Sequence, residues 1–124
     1  MRGRRLTVQE QWLREKPEDK FQEEILKTAG YLGWLRFHDH DSRRNNEGAG
    51  VDPGLPDTIL VHPTRFRIIF AELKRETENP SARQLVWLGA LMVISRLTGG
   101  IVSVHVWRPR DMDRILEILQ GKAA

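Results

Sequence analysis

The sequence predicts an α/β fold in which a central mixed sheet is flanked by helices, in the order α-β-β-β-α-β-α. Three observations predict it. DTILV (57–61) is a continuous apolar run and RFRIIFAEL (65–73) is apolar on both strand faces, as strands buried within a sheet are, and IVSVHVW (101–107) reads as another strand. Segments of helical character bracket them, which places helices against the sheet. Finally, the 124 residues hold no internal repeat and no second unit, so residues 1–124 read as one domain large enough to bury a core without staples.

The elements follow in order. Residues 1–16 read as an N-terminal arm or short helix. In PEDKFQEEILKTAGYLGW, Phe21, Ile25, Leu26 and Ala29 form a helical stripe, and Gly30 or Gly33 can end it. WLRFH (34–38) alternates as a short strand. DHDSRRNNEGAGVDPG (39–54) is polar and Gly-rich, a long loop of the kind that carries function. DTILV and RFRIIFAEL are joined by a tight turn near Pro63-Thr64. NPSARQ starts a largely apolar helix that runs to about Leu97, where Gly99-Gly100 break it. After the strand at 101–107, RDMDRILEILQ forms a C-terminal helix closed by Gly121.

Composition narrows the function. No cysteine is present, which excludes disulfides and thiolate metal sites. MRGRRLTVQEQW lacks the apolar stretch of a signal peptide, and no segment approaches the roughly 20 apolar residues that span a bilayer, so a cytoplasmic protein without a membrane partner is expected. Net charge is +3 and the pI about 9.7, a balance that favours a nucleic-acid partner. The basic residues are mostly arginines in short clusters, among them Arg43-Arg44 and Lys74-Arg75, and arginine's planar fork suits phosphate oxygens.

Folding the chain about the turn near Pro63-Thr64 makes residues equidistant from it neighbours. Asp57 and Glu72 then face each other within one or two residues, with Lys74 on the same strand face as Glu72. Two carboxylates about 5 Å apart repel by roughly 3 kcal/mol at an effective dielectric near 20. Such a pair is tolerated if it shares a proton or binds a divalent cation, and oxygen ligands point to Mg²⁺, with Mn²⁺ as a substitute.

The spacing Pro56-Asp57…Glu72-Leu73-Lys74 within this element order resembles the PD-(D/E)xK nuclease superfamily and its restriction-endonuclease-like core. GWLRFHDHDSRR, GLPDTILV, FAELK, SARQLVWLGAL and VHVWRPRDMDRILEIL occur in the order and spacing of the small VRR-NUC nucleases of bacteriophages and bacteria, and the resemblance covers Pro17 to Leu119. It implies metal ligation by Asp57, Glu72, the Leu73 carbonyl and a first-helix acid. That acid matches Glu18, with Gln22 following in an E-x-x-x-Q pattern, although Glu23 and Glu24 compete for the role. It further implies that Lys74 prepares the attacking water and that Gln84 assists from the next helix. The loop NNEGAGVDPG is longer than the family's usual connection, which bears on how substrate is gripped.

Other readings of the same residues stand beside these. Glu72 and Lys74 could form a plain ion pair, and Glu18 could simply favour its helix N-terminus. S-A-R-Q is also a capping box, with Ser81 as N-cap and Gln84 reaching back. His38 and His40 could bind Zn²⁺; contact with phosphate is the expectation for His38, alongside Ser42, Arg43, Arg44, Gln22 and Arg75. Trp34 and Trp107 read as core, while Trp12 and Trp87 could sit at a subunit contact. The expectation is a Mg²⁺-dependent DNA endonuclease, a homodimeric Holliday junction resolvase acting on branched DNA. A flap nuclease, another DNA or RNA nuclease of the same fold, and a non-catalytic DNA-binding module are the alternatives.

Overall fold

Whether the apolar runs become buried strands depends on what covers each sheet face. The computed structural model describes residues 17–39 and 50–123, with side chains in the first helix from Lys20 onward. The elements are α1 (Pro17–Tyr31), β1 (Leu35–His38), β2 (Thr58–His62), β3 (Arg67–Leu73), α2 (Ala82–Leu97), β4 (Val102–Trp107), a 3₁₀ turn (Pro109–Asp111) and α3 (Met112–Leu119). They form the predicted α/β arrangement. The four-stranded sheet is mixed, in the order β1-β2-β3-β4, with antiparallel pairing across the first three strands and parallel pairing of β3 with β4. The parallel pair needs a crossover, which α2 supplies.

In α1, Phe21, Ile25 and Ala29 recur at helical spacing and are buried, while Glu23, Glu24 and Lys27 face solvent. Full burial of a side chain such as Phe21 or Ile25 is worth about 1.5–3 kcal/mol. Their partners are Leu60, Ile69, Ala71, Leu73 and Trp107 of the sheet, with Ile115, Ile118 and Leu119 of α3. Trp34 belongs to this core, and its Nε1 donates to the Leu119 carbonyl at 2.9 Å. The predicted core roles of Trp34 and Trp107 therefore hold. Trp87 instead donates from Nε1 to the Pro53 carbonyl at 3.0 Å and pins the preceding loop to α2; Trp12 lies outside the described residues.

β3 and β4 are shorter than the apolar runs that announce them, and β2 is shifted one residue along its run. β2 begins at Thr58, β3 at Arg67 and β4 at Val102. The β2–β3 register pairs His62 with Arg67 and Thr58 with Ala71. The connection therefore spans residues 63–66 and is centred between Thr64 and Arg65, one residue later than the sequence predicts. Phe66 completes it with φ 55° and a side chain 74% exposed, so the backbone enters the left-handed region without a packing return. Among the described residues no helix is long and apolar enough to cross a membrane.

Asn tolerates the left-handed region at lower cost than Phe. Phe66→Asn is expected to raise stability by about 1 kcal/mol, read as a higher midpoint in thermal or urea melts. An unchanged or lower midpoint would remove the strain attributed to this turn.

Candidate active site

Extending the β2–β3 register by one step beyond Thr58–Ala71 sets Asp57 directly across from Glu72. Each carboxylate takes the place of a ladder carbonyl. The Asp57 N–H donates to Glu72 Oε1 at 3.2 Å, and the Leu73 N–H donates to Asp57 Oδ1, also at 3.2 Å. Both residues are buried, at 8% and 3% exposure, as is Lys74 at 9%. A buried charge without compensation is costly, so the arrangement around these three groups decides their state.

Burial, followed by the charge of Glu72, pushes Asp57 up from 3.8 to about 7, against the opposing pull of the Leu73 N–H, Thr58 and Lys74. Burial raises Glu72 as well, and Lys74 is the main opposing influence. Lys74 Nζ lies 3.3 Å from Glu72 Oε2, and its backbone N–H continues the β3–β4 ladder to the Trp107 carbonyl at 2.9 Å. Glu72 and Lys74 therefore form an ion pair, and it sits inside the carboxylate pair rather than standing alone at a sheet edge.

Gln84 completes the expected cap and also reaches Glu72. Its Oε1 accepts from the Ser81 N–H at 2.8 Å and its N–H donates to Ser81 Oγ at 3.1 Å, which completes the capping box of α2. Its Nε2 then donates to Glu72 Oε2 at 2.9 Å. One amide thus ties the start of α2 to the acid at the end of β3.

Two contributors were not singled out from the sequence. Thr58 is fully buried, and Oγ1 gives its single proton to Asp57 Oδ1 at 3.0 Å. It therefore accepts from His38 Nδ1, 2.8 Å away, which fixes the histidine tautomer and links β1 to the site. A β-branched residue at a strand start looks like ordinary strand chemistry, so nothing in the pattern marks it. The second is Gly54. Its φ is +102°, and a Cβ there would lie 2.6 Å from the backbone C and O of Arg83. With the Trp87 bond and the Arg83–Asp52 contact at 3.2 Å, this close approach straps the loop before Pro56-Asp57 onto α2. GLPD carries the signal, since Gly is the residue that such a fit requires.

Of the remaining predicted residues, Gln22 is buried on α1, His38 reaches the site through Thr58, and Arg75 is exposed beside Lys74. Glu18 lies on α1, but its side chain is outside the described residues, as are Ser42, Arg43, Arg44 and His40 entirely. Glu23 and Glu24 project into solvent. Among the described residues, no group of three His, Asp or Glu side chains could hold a metal. What is present fits a hard divalent cation. Two buried carboxylates face each other, and the hydrogen bonds to Asp57 both fall on Oδ1, which leaves Oδ2 toward a further ligand.

Because the folded pKa of Asp57 lies above its unfolded value, the metal-free protein binds a proton on folding. The stability that this proton contributes is fully present below about pH 4 and is lost as pH rises through about 7. Asp57→Asn should therefore stabilise the protein in EDTA at pH 8, on the order of 1–3 kcal/mol, with the gain fading toward pH 4. Mg²⁺ at pH 8 should raise the melting temperature of the wild type and not of the variant. Equal Mg²⁺ shifts in both proteins would move the cation site elsewhere.

No protein-family model matches the chain, and no curated protein matches it significantly. Among solved structures it is similar to that of Archaeoglobus fulgidus Hjc, a Holliday junction resolvase from an archaeal hyperthermophile. The TM-score is 0.43 and the identity 18%, over 73% of this chain and 68% of that one. A likeness of this size does not by itself assign an activity.

Proposed function

We propose that the protein is a metal-dependent endonuclease that hydrolyses phosphodiester bonds in DNA. One observation carries the proposal: Asp57 and Glu72 meet in register across β2 and β3, buried, with the Lys74 ammonium 3.3 Å from Glu72. The PD-(D/E)xK motif and the α-β-β-β-α-β-α order support the superfamily reading. The string of VRR-NUC-like segments from Pro17 to Leu119 supports the finer one.

Mg²⁺ or Mn²⁺, held by Asp57, Glu72, the Leu73 carbonyl and Glu18, would supply water activation near neutral pH and charge neutralisation at the phosphate. The chain's own groups do the rest. Thr58 and the Leu73 N–H hold Asp57 Oδ1, so Oδ2 is the oxygen assigned to the cation. Gln84 fixes the rotamer of Glu72. Lys74 places a positive charge where water approaches the phosphorus, stabilising the developing negative charge and assisting removal of the water proton. Arg43, Arg44, Ser42 and Arg75 are assigned to the sugar–phosphate backbone, in keeping with the basic pI, whereas Gln22, buried on α1, and His38, bonded to Thr58, are turned into the protein and do not fit that expected role.

The specific substrate proposed is a four-way DNA junction. Resolving it requires two strand cuts, and a domain of this size offers one site, so the active species is a homodimer.

The test is cleavage of DNAs of matched sequence: a four-way junction, a flap and a linear duplex, each with Mg²⁺ or EDTA. Paired nicks on the junction should require the metal and disappear in Asp57→Ala and Glu72→Ala, with DNA binding retained. Lys74→Ala should slow cleavage by about 10²–10⁴-fold. Cutting of the flap or duplex alone would keep the nuclease and discard the resolvase. Tight binding without any cutting would make the protein a DNA-binding module.

A further inference from the structure

A cavity of about 740 Å³ opens at the other end of the sheet from the carboxylates. It lies where β3 and β4 begin and where α2 and α3 end, bordered by Arg67, Ser103, Gly100 and Lys122. Arg67 precedes Glu72 by five residues, so the two are roughly 16 Å apart along β3 at about 3.3 Å per residue. The odd spacing also puts them on opposite faces of the sheet. The cavity is therefore no part of the site already described, and its volume falls within the roughly 300–1,000 Å³ of ordinary small-molecule sites.

The lining has two halves. Trp34, Ile69, Val104 and Ile118 form an apolar wall, each buried and so held in place by the packing behind it. Arg65, Arg67 and Lys122 supply three cations, and no Asp or Glu lines the cavity. Among the described residues, Arg67 and Lys122 meet no carboxylate. Arg65 donates from Nη1 to the Leu119 carbonyl at 2.8 Å, and a Cβ at Gly121 would lie 3.0 Å from the same nitrogen. Its guanidinium thus lies against the segment that carries Lys122, with further donors of its fork to spare. Ser103 Oγ adds a hydroxyl, 3.1 Å from His105 Nε2. Burial, and then the charge of Arg114, pushes His105 down to about 4, so its ring is neutral near pH 7 and contributes no charge.

Helix capping accounts for part of this charge. Both α2 and α3 end at the cavity, and each helix C-terminus is equivalent to about half a negative charge. Together they offset about one of the three cations and leave an excess of about two. Like charges gathered without a counter-ion repel, so an anion of about that charge is favoured there. A phosphate monoester carries about −1.5 to −2 at pH 7, and the arginine fork matches its oxygens. The apolar wall asks in addition for a flat or apolar group joined to that anion. We infer that this cavity binds a nucleoside monophosphate unit, with the base on the apolar wall and the phosphate on Arg65, Arg67 and Lys122. A free nucleotide and the phosphorylated end of a DNA strand present the same chemistry. The inference is independent of the nuclease reading, because it uses none of the residues of the carboxylate site.

The test is calorimetric titration of the full chain with deoxyadenosine 5′-monophosphate in EDTA, where no divalent metal takes part and no cleavage is read. Wild type should bind one nucleotide per chain. Arg67→Ala combined with Lys122→Ala removes two exposed side chains, so circular dichroism should be unchanged while binding weakens by about tenfold or more. Deoxyadenosine, which lacks the phosphate, and inorganic phosphate, which lacks the base, should each bind about tenfold more weakly than the nucleotide. Two oligonucleotides of one sequence, ending in a 5′-phosphate or a 5′-hydroxyl, then separate the sources. Displacement of the nucleotide by the phosphorylated strand alone would identify a strand end, and displacement by neither would identify a free nucleotide. Equal displacement by both would overturn the inference, since the terminal phosphate would then not be what is bound. Absence of binding at millimolar nucleotide, or equal affinity in the wild type and the double variant, would overturn it as well.

Discussion

The hydrogen-bond exchange between Asp57 and the end of β3 is the constraint on which the site rests. Two acidic side chains act as ladder acceptors, each for a backbone N–H on the opposite chain segment. The sheet therefore stays paired to its end while presenting two carboxylates where carbonyls would otherwise lie. Loss of either acid removes an acceptor for a buried N–H as well as a charge. A four-residue connection at 63–66 holds the register, and a slip of one residue would put the two side chains on opposite faces.

The rest of the molecule supports that arrangement. Leu60, Ile69, Ala71 and Leu73 anchor β2 and β3 against α1 and α3. Helix α2 contributes twice. Its first turn, capped by Ser81, delivers Gln84 to Glu72, and Trp87 and Arg83 hold the loop that carries Pro56-Asp57. Burial raises both carboxylates above their ordinary range, and the Lys74 ammonium offsets this only in part. The opposite side of the same helix carries no charge from Gln84 to Ser95 and stays exposed.

Much of this was legible in the residues, for reasons that can be named. Two apolar runs joined by a short turn fix their partners by counting, which is why the sequence alone sets Asp57 within one or two residues of facing Glu72. The turn centre fell one residue later than predicted because β3 begins at Arg67. The capping box at Ser81–Gln84 was likewise readable, but its second bond to Glu72 depends on how α2 packs after the crossover, which no local pattern specifies. Thr58 was silent because a strand-favouring residue carries no separate mark of its hydrogen bonds. The open face of α2 was hidden for a related reason: a helix apolar on every side reads as core, and only the assembled sheet determines which side is left uncovered. Glu23 and Glu24 competed with Glu18 in the sequence; on α1 both face solvent while Gln22 is buried.

The most direct test of the central claim is a crystal structure of the protein grown or soaked with Mn²⁺, read from its anomalous difference map. The account predicts a peak between Asp57 and Glu72, about 2.0–2.2 Å from a carboxylate oxygen of each, with Gln84 still on Glu72. A map with no peak there, or with Mn²⁺ held elsewhere while Lys74 keeps Glu72 to itself, would contradict it.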